Sequence, residues 1–474
     1  MADGTKLHIA MFPWLAFGHM IPYLELAKLI ALKGHKISFI STPRNVDRLP
    51  KLPPTVASSI QFVKLPLPHV ENPPENAEAT IDLPYEKVPY LKIAFDGLQD
   101  SLAKFLETSS ADWLLFDFAP HWLPPLAHNV GIPNALFSIF NAVSLTQVKP
   151  SSPLIDIQDD RKKPEDFTKP PKWVPFPSSA AFRLFEISRI FDSIAGEGSH
   201  TSDLYRFEEA IERCDAIAVR SCWEFEPEYL NLLKELHQKP VIPVGLLPPT
   251  AYNNGNHDDE AWKPIKEWLD KQQPGSVVYV AFGSEAKPSQ EEVTEIALGL
   301  ELSGLPFFWV LMPRQGGSDT ESIELPDGFE ERTVGRGVVC TSWAPQPQIV
   351  AHDSVGGFLS HAGWSSVVEA IESERVLILL TFLADQGLNA RVLEEKKMGY
   401  VIPRNEDDGA FTRDSVAESL RLVMVEEEGK IYRAKAKEMK EIFGDWEKQD
   451  CYIDQLLSFL ITNKNRIKGS RMEE

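Results

Sequence analysis

A histidine and an aspartate follow two apolar stretches in the first half of the chain, where they could act together on a proton. His19 comes after residues 7–12, at the predicted start of a helix, and Asp117 comes directly after residues 113–116. A helix N-terminus disfavours positive charge, so we expect His19 to be neutral near pH 7 and able to accept a proton. A carboxylate at Asp117 would hold the imidazole in one tautomer and stabilise its protonated form. Each residue alone also fits a structural role, His19 as a buried or capping histidine and Asp117 as an N-cap or turn residue.

The second half of the chain carries residues that could hold a phosphate. His361 precedes a turn of small residues, and Ser365 and Ser366 lie at the start of a predicted helix over 366–374. Backbone N–H groups and the helix dipole would face an anion there, and His361 could donate to the same anion. Ser366 and Glu369 also have the spacing of a capping box, which a helix favours without any ligand. The residues alone leave the anion site and the simple cap equally open.

Two further residues of this segment could contact a nucleoside. Trp343 offers a flat apolar face on which a base can stack, and Glu369 could accept hydrogen bonds from two ribose hydroxyls. Trp343 could equally belong to the hydrophobic core. No G-x-G-x-x-G and no G-x-x-x-x-G-K-[ST] sequence occurs, which removes the main support for a dinucleotide site or a P-loop. With no D-x-D pair and no H-E-x-x-H sequence, we expect no metal site.

Alternating apolar stretches and helices must position these residues. Residues 7–41 have the pattern strand, helix, strand, which is a βαβ unit and predicts a parallel, doubly wound sheet. The same alternation restarts at residue 276 and continues to residue 398. The sequence therefore predicts an α/β protein with two doubly wound domains. Ligands of such domains bind at the carboxyl ends of the strands, facing the cleft.

A Pro- and Asn-rich stretch that turns acidic separates the two halves. Residues 246–262 have little to bury and are typical of a linker. We therefore expect a first domain over 1–245 and a second over 263–445. Residues 446–474 are expected to form a C-terminal helix and tail that packs back on the first domain. A length of 474 residues exceeds one ordinary core and suits this division.

The composition of the chain argues against some classes of binding partner and some cellular locations. The net charge of −21 argues against nucleic acid or an anionic membrane, because such partners need a basic face. The four cysteines form no C-x-x-C pair, so we expect reduced, buried thiols rather than a disulfide framework or a zinc site. The first residues lack the basic region of a signal peptide, and the apolar stretch 376–384 is far shorter than the roughly 20 residues of a membrane helix. We expect a cytoplasmic monomer without membrane insertion.

Several motifs together resemble those of the plant UDP-glycosyltransferases of secondary metabolism. Residues 343–386 look like the family's signature segment, with Trp-Ala-Pro-Gln at its start, His-Ala-Gly-Trp-Ser-Ser in its middle and Ala-Asp-Gln at its end. Phe-Pro-Trp-Leu-Ala-Phe-Gly-His over 12–19 and Phe-Gly-Ser over 282–284 are similar to further motifs of the family. The likeness spans nearly the whole chain. Residues 12–19, 243–249 and 297–302 most resemble the branch that adds a sugar onto a sugar of terpenoid or flavonoid glycosides, to which rhamnosyltransferases belong.

The resemblance implies the GT-B fold, in which two Rossmann-like domains face a cleft, and inverting sugar transfer without a metal or other cofactor. By position, His19 matches the family's general base and Asp117 its charge partner. The other matched residues bind the UDP-sugar as co-substrate. Those of the nucleoside are Trp343, Ala344, Gln346 and Glu369, those of the diphosphate are Ser284, His361, Ser365 and Ser366, and those of the donor sugar are Trp364, Asp385 and Gln386.

Three segments depart from the family pattern. Ala362 and Ser365 stand where the family usually has cysteine and asparagine, and serine reaches less far toward a phosphate, so that contact is expected to be weaker or bridged by water. Glu374 stands in place of a glycine, which we expect to alter a turn rather than the site. Leu380 and Thr381 replace a Trp-Pro pair. We expect Leu380 to form an apolar wall that favours a donor sugar with a methyl group or with no exocyclic carbon.

These observations predict an enzyme in which His19 deprotonates an acceptor hydroxyl as it attacks the anomeric carbon of a UDP-sugar. We expect a plant triterpenoid or flavonoid glycoside as acceptor, and rhamnose or xylose rather than glucose as the transferred sugar. The alternatives are a glucosyltransferase acting directly on a small aglycone and a nucleotide-sugar-binding protein without activity. The acceptor cleft is expected to be amphipathic and lined by Trp14, Phe17, Phe118, Trp122, Phe140 and residues 150–200.

Overall fold

The computed structural model describes residues 6–71, 76–152, 155, 157–195, 201–249, 261–312 and 323–470. Most of the predicted linker, residues 250–260, lies outside the described residues, as do parts of the proline-rich stretch between 150 and 200. All four cysteines are free thiols, but only two of them, Cys214 and Cys222, are buried. The expectation of buried thiols is therefore wrong for Cys340, which is partly exposed, and for Cys451, which is exposed.

The first domain is built on a parallel sheet of seven strands, which stand in the order β3-β2-β1-β4-β5-β6-β7. Most of these strands are short runs of apolar residues, as expected for strands covered by helices on both faces. Phe12 pairs in register with Phe116, so the carboxyl ends of β1 and β4 lie side by side where the strand order reverses. The strands are β1 His8–Phe12, β2 Lys36–Ser41, β3 Ile60–Lys64, β4 Trp113–Phe116, β5 Asn134–Ser138, β6 Ala216–Val219 and β7 Val241–Pro243.

The second domain repeats this plan with a parallel sheet of six strands in the order β10-β9-β8-β11-β12-β13. Ala281 pairs with Ser360, so β8 and β11 also end side by side at the point where the order reverses. The strands are β8 Val277–Ala281, β9 Phe307–Val310, β10 Gly337–Cys340, β11 Val355–Ser360, β12 Val376–Leu379 and β13 Gly399–Val401. Two doubly wound α/β domains are thus present, which confirms the GT-B architecture that the sequence resemblance implies.

Helices connect the strands and cover both faces of each sheet. Those before the second sheet are α1 Phe17–Leu32, α2 Pro43–Arg48, α3 Pro54–Ala57, α4 Val88–Asp96, α5 Gln99–Thr108, α6 Leu123–Asn129, α7 Ala142–Leu145, α8 Leu184–Ala195, α9 Asp203–Arg213, α10 Pro227–His237 and α11 Trp262–Leu269. Those that follow are α12 Gln290–Ser303, α13 Phe329–Arg332, α14 Gln346–Ala351, α15 Trp364–Glu372, α16 Gln386–Glu395, α17 Arg413–Met424, α18 Lys430–Phe443 and α19 Trp446–Ser470. Short 3₁₀ helices cover Thr80–Asp82, Tyr85–Lys87 and Pro164–Phe167.

Two helices that carry predicted site residues begin earlier than the sequence suggests. Helix α1 begins at Phe17 and runs through Pro22, so His19 lies within its first turn. Helix α15 begins at Trp364 with Gly363 as its N-cap, and no side chain caps it. Ser366 is therefore the third residue of the helix, and the capping-box interpretation of Ser366 and Glu369 is wrong.

The last helix lies against the first domain. The Trp113 indole of β4 donates to the carbonyl of Leu460 at 2.8 Å, and Gln449 accepts a hydrogen bond from the backbone N–H of Leu247 at 3.0 Å. Helix α19 therefore packs on the first sheet. Its Gln449 side chain also binds the backbone at Leu247, where the connection between the domains begins. Its buried residues in the core cluster of that sheet are Ile453, Leu456, Leu457 and Leu460.

No helix among the described residues combines the length and the apolar character needed to cross a membrane. The cytoplasmic location and the monomeric state stay predictions.

Candidate active site

His19 and Asp117 meet where β1 and β4 end side by side. Nδ1 of His19 lies 2.7 Å from Oδ2 of Asp117, and the carboxylate also accepts from the backbone N–H groups of Trp14 at 3.1 Å and Phe118 at 2.8 Å. The Asp117 side chain is 1% exposed and that of His19 is 12% exposed. Because the carboxylate accepts from Nδ1, the proton of the neutral imidazole lies on Nδ1, and Nε2 keeps a lone pair. His19 thus has the arrangement of a general base oriented by a buried carboxylate.

The pKa of His19 shifts in the direction opposite to the one that the helix N-terminus alone would give. Burial by itself lowers the pKa of His19, but Asp117, and to a lesser extent Glu285 and Asp385, outweigh burial and raise the pKa above 6.5. The helix N-terminus therefore does not decide the protonation of this histidine, because three carboxylates face it. The neighbouring carboxylates therefore favour the protonated imidazole, and the fraction of His19 that can act as a base rises with pH.

A cavity of about 230 Å³ adjoins His19 between the two domains. Its lining is largely apolar in the first domain. Polar groups lie at the end near His19, where Thr80 of the first domain donates to Glu285 of the second at 2.6 Å. Glu285 was not predicted from the sequence, although it directly follows the predicted phosphate ligand Ser284. The cavity therefore joins a polar end beside the candidate base to an apolar interior.

The predicted acceptor lining is right for three aromatic residues and wrong for two. Trp14, Phe118 and Phe140 line the cavity. Phe17 instead packs under the guanidinium of Arg48, 5.1 Å from the ring centroid. The ring of Trp122 packs at a tilt against Phe12, and its indole N–H donates to Asp96, so this side chain does not line the cavity. The described part of 150–200 contributes Phe167, Phe182, Ile190, Ser193 and Ile194 to the cavity.

The predicted phosphate site lies where β8 and β11 end. The ring of His361 fits between two glycines, because a Cβ on Gly283 would lie 2.8 Å from Nε2 and one on Gly363 would lie 2.3 Å from it. Burial lowers the pKa of His361 to about 4, against a smaller opposing effect of the Ala281 backbone. At neutral pH this imidazole is therefore uncharged and can donate one N–H to an anion. Ser284, which follows Gly283, faces the cavity.

The first turn of α15 completes this site. The helix has nine residues and no side-chain cap, so its first backbone N–H groups, including those of Ser365 and Ser366, face away from the helix body. Such N–H groups, together with the helix dipole, favour a phosphate. Ala362, where the family usually has cysteine, has a φ of 64°, so this turn holds a left-handed residue between strand and helix.

Arg220 is a residue of this region that the sequence analysis missed. It follows the buried strand β6 in the first domain and is itself 2% exposed. Its Nη1 donates to Oγ of Ser365 at 2.7 Å, and its Nε donates to the carbonyl of Leu246 at 2.8 Å. The signal was the same as for Asp117, a single charged residue directly after an apolar strand. The structure thus assigns to Ser365 a partner that fixes its hydroxyl.

The predicted nucleoside residues lie together beside this turn. Gln346 donates from Nε2 to Glu369 at 2.8 Å and to Ser366 at 3.2 Å. Burial raises the pKa of Glu369 to about 7, although Gln346 and Arg220 lower it. Trp343 is 63% exposed, which excludes the core interpretation and leaves its ring free to stack. Ala344, next to it, is nearly buried.

The three residues matched to the donor sugar have different surroundings. Asp385 lines the cavity, and burial raises its pKa to about 6, while Asn389, which donates to it at 2.8 Å, lowers it. Gln386 turns its carbonyl oxygen back to accept from the N–H groups of Phe382 and Leu383, both at 2.8 Å. Trp364 is buried, and its indole donates to the carbonyl of Arg220 at 2.9 Å. Of the three side chains, only that of Asp385 faces the cavity.

Two departures from the family pattern are resolved by the structure. Leu380 is completely buried in the core of the second domain, so the expected apolar wall beside the sugar is wrong. Thr381 is buried as well and donates to Glu186 at 2.6 Å. Glu374 has a φ of 62°, a left-handed conformation that glycine adopts without strain, and it lies in a turn after α15. The substitution of Glu374 for glycine therefore affects a turn, as predicted.

The chain is similar to known proteins in sequence and in fold. The family model described as UDP-glucoronosyl and UDP-glucosyl transferase matches residues 208–446. Over 98% of its length the chain is 57% identical to UDP-glycosyltransferase 91A1 of Arabidopsis thaliana, of which it covers 98%. It is 43% identical to soyasaponin III rhamnosyltransferase of Glycine max, over 97% of this chain and 96% of that one. A solved structure of Glycyrrhiza uralensis UGT73P12 has a TM-score of 0.78 over 99% of this chain and 98% of its own, and at 22% identity the likeness concerns the fold alone.

Proposed function

The chain belongs to the UDP-glycosyltransferase family, and on that premise we propose that it transfers the sugar of a UDP-sugar to a sugar hydroxyl of an amphipathic plant glycoside. The observation that carries this proposal is the change of polarity along the cavity. Thr80, Glu285 and Asp385 surround the end beside His19, where the reacting hydroxyl must lie. Aromatic and aliphatic side chains form most of the rest of the lining. A sugar fits the polar end, and an apolar scaffold such as a triterpenoid or flavonoid fits the interior.

In the proposed reaction, Nε2 of His19 takes the proton of the acceptor hydroxyl. The acceptor oxygen attacks the anomeric carbon as the bond from that carbon to UDP breaks, so the anomeric configuration is inverted. The proton stays on the imidazole, where the Asp117 carboxylate, 2.7 Å from Nδ1, stabilises the cation. General-base catalysis of this kind contributes about 10²–10⁴-fold to the rate.

We propose that UDP leaves without the help of a metal ion. Negative charge grows on the β-phosphate as the bond breaks, and groups that donate hydrogen bonds there lower the barrier. In this proposal the donors are the backbone N–H groups in the first turn of α15, the neutral imidazole of His361 and the hydroxyl of Ser284. Dialysis against a chelator is therefore expected to leave kcat/KM unchanged within twofold. Loss of turnover that Mg²⁺ restores would contradict this part of the proposal.

For the donor we propose rhamnose in preference to glucose. The support is the name of the Glycine max relative, which is a rhamnosyltransferase and is 43% identical to this chain. The argument from an apolar wall no longer contributes, because Leu380 is buried in the core. Because Leu380 forms no such wall, the structure gives no argument for xylose as the transferred sugar.

The test compares one 3-O-glucosylated triterpenoid and one flavonoid 3-O-glucoside with their aglycones, each with UDP-rhamnose, UDP-xylose and UDP-glucose. Products are identified by mass spectrometry, and the linkage and anomeric configuration by NMR. We expect a second sugar attached to the glucose of at least one glucoside, with inverted configuration. His19→Ala is the matched control, because it should bind UDP while transferring little.

The other possible outcomes of this test would each support a different function. A higher kcat/KM for an aglycone than for its glucoside would make the protein a transferase acting directly on aglycones. Binding of UDP without transfer to any of these acceptors would favour the non-catalytic alternative. A kcat/KM for UDP-glucose ten times that for UDP-rhamnose would overturn the donor assignment and leave the transferase assignment intact.

A further inference from the structure

The interior of the acceptor cavity contains one polar cluster that the transfer reaction does not use. Lys92 of α4 contacts Asp203 of α9 through an ion pair and Ser193 of α8 at 3.3 Å. Ser193 in turn donates to Oδ2 of Asp203 at 2.8 Å. All three residues line the cavity. The Lys92 side chain is 9% exposed and that of Asp203 is 22% exposed.

This cluster lies beyond a pair of aromatic rings from the candidate base. The ring of Phe118 is 5.7 Å from that of His19 and stacks on Phe207 at 4.5 Å between centroids. Phe207 lies one helical turn after Asp203 on α9. An acceptor whose reacting hydroxyl is at His19 must therefore pass the two rings before its far end meets the cluster.

The Lys92–Asp203 ion pair is one of two ion pairs that join helices α4 and α9. Helices α4 and α9 are already joined by a second pair, in which Nη2 of Arg206 lies 2.6 Å from Oδ2 of Asp96. Arg206 also donates to the carbonyl of Ala119 at 2.6 Å and is 2% exposed. Since it costs free energy to desolvate charged groups, a further pair in an apolar cavity calls for a different explanation.

We propose that Lys92, Ser193 and Asp203 form a distal acceptor subsite that binds an uncharged hydroxyl at the end of the acceptor remote from His19. This inference rests on the proposed function only in that the cavity holds the acceptor. A hydroxyl can accept from the Lys92 ammonium and donate to the Asp203 carboxylate at the same time. A methyl group would leave both charges without a new partner, and for a carboxylate the repulsion from Asp203 would offset the attraction of Lys92. The cluster therefore selects a hydroxylated scaffold.

The test measures binding, so that it does not depend on sugar transfer. Three 3-O-glucosides of one pentacyclic triterpenoid skeleton carry a hydroxyl, a methyl or a carboxylate on the ring opposite the sugar. Their Kd values are measured by calorimetry with the full chain saturated with UDP. We expect the hydroxyl compound to bind about tenfold more tightly than the methyl compound. Equal Kd values for these two compounds in the unaltered protein would overturn the subsite.

Variants separate the subsite from a merely structural ion pair. Asp203→Asn removes the negative charge and keeps a polar side chain, so the carboxylate compound should bind about tenfold more tightly to it than to the unaltered protein. Lys92→Met and Ser193→Ala should each reduce the preference for the hydroxyl over the methyl compound. Lys149→Met is the matched control, because Lys149 pairs with Glu208 of the same helix α9 outside the cavity, and it should leave all three Kd values unchanged.

The outcomes also distinguish this inference from the proposed function. If Asp203→Asn leaves the carboxylate compound unchanged and Ser193→Ala leaves the hydroxyl preference unchanged, the subsite is overturned even where sugar transfer is observed. If none of the glucosides receives a sugar but the Kd pattern is as expected, the subsite stands and the proposed transfer fails. Ser193→Ala removes only one hydroxyl, so it gives a result even if Lys92→Met does not fold.

Discussion

The guanidinium of Arg220 in the first domain donates from Nη1 to Oγ of Ser365 in the second domain, 2.7 Å away. The same group donates to the carbonyls of Leu246 at 2.8 Å and Leu247 at 3.3 Å, where the chain leaves the first domain. One buried side chain therefore fixes both a serine in the first turn of α15 and the path of the connection between the domains. Ser365 stands where the family usually has asparagine, and the hydrogen bond from Arg220 fixes the position of its hydroxyl.

Removing this arginine should affect stability and UDP affinity together. Arg220→Met leaves two buried carbonyls and the Ser365 hydroxyl without their donor, so we expect a loss of roughly 3 kcal/mol in the free energy of unfolding. The Kd for UDP should rise several-fold, because Ser365 is no longer held toward the phosphate. Denaturant unfolding and calorimetry measure the two effects.

Arg213→Met is the control for Arg220→Met, since Arg213 is half-exposed and pairs with Glu209 one turn earlier on its own helix. Exposed pairs of this kind are worth about 0.3–0.5 kcal/mol, so both measurements should stay nearly unchanged. If Arg220→Met lowers stability but leaves UDP affinity unaltered, the link between Arg220 and the phosphate site is wrong.

The catalytic dyad should behave as one unit. His19→Ala is expected to lower kcat by about 10²–10⁴-fold while the Kd for UDP changes little, because the base acts on the acceptor. Asp117→Asn should lower kcat by the same amount or less. The double variant should be no slower than His19→Ala, since the carboxylate acts through the imidazole. Independent, multiplying losses in the double variant would show that Asp117 has a separate role.

The pH profile of the reaction follows from the charges around His19. Burial lowers the pKa of His19, but Asp117, Glu285 and Asp385 together raise it above 6.5, so kcat/KM should fall as the pH drops through a value above 6.5. Asp117→Asn removes the largest of the three effects that raise the pKa, and the acid limb of its profile should move to lower pH. Glu285→Gln should move that limb in the same direction by less. If neither substitution moves the acid limb, the limb reports the titration of a group other than His19.

Glu369 allows a test of the nucleoside site that is independent of helix capping. Glu369→Gln removes the carboxylate. The Kd for UDP should rise about tenfold, because the ribose hydroxyls lose a charged hydrogen-bond acceptor. Because burial raises the folded-state pKa to about 7 from an ordinary 4.5, this group's contribution to stability is lost as the pH rises through 7. The Tm of the variant relative to the unaltered protein should therefore increase from pH 5 to pH 8. A Tm that falls with unaltered UDP affinity would make Glu369 mainly structural.

The strands and their order of succession could be predicted because parallel strands covered on both faces are continuous apolar runs. Residues 113–116, the apolar stretch before Asp117, form a strand with these bounds. The starts of α1 and α15 were missed because Ala16 and Gly363 cap them without a side-chain hydrogen bond, so no Ser, Thr, Asp or Asn marks the place.

The candidate site could be predicted only where a residue type itself indicates chemistry. Asp117 and His361 directly follow strands, and His19 lies in the first turn of the helix after β1, at the edge of the sheet where doubly wound folds bind their ligands. Arg220 directly follows a strand too, but its partner Ser365 is 145 residues away, and no local pattern relates the two. The burial of Leu380 could not be predicted either, because it depends on helices from other parts of the chain that pack near the end of β12.

Replacement of Leu380 by the tryptophan common in the family tests the corrected position of this residue. Leu380 is completely buried, so Leu380→Trp should overfill the core and cost about 1–3 kcal/mol in the free energy of unfolding. Because the side chain does not line the cavity, the ratio of kcat/KM for UDP-rhamnose to that for UDP-glucose should stay within twofold. Leu380→Met, which nearly conserves volume, is the matched control for stability, and Leu380→Ala supplies the donor ratio if the tryptophan variant does not fold. A tenfold change of the donor ratio toward glucose at an unchanged Tm would show that position 380 faces the donor sugar after all.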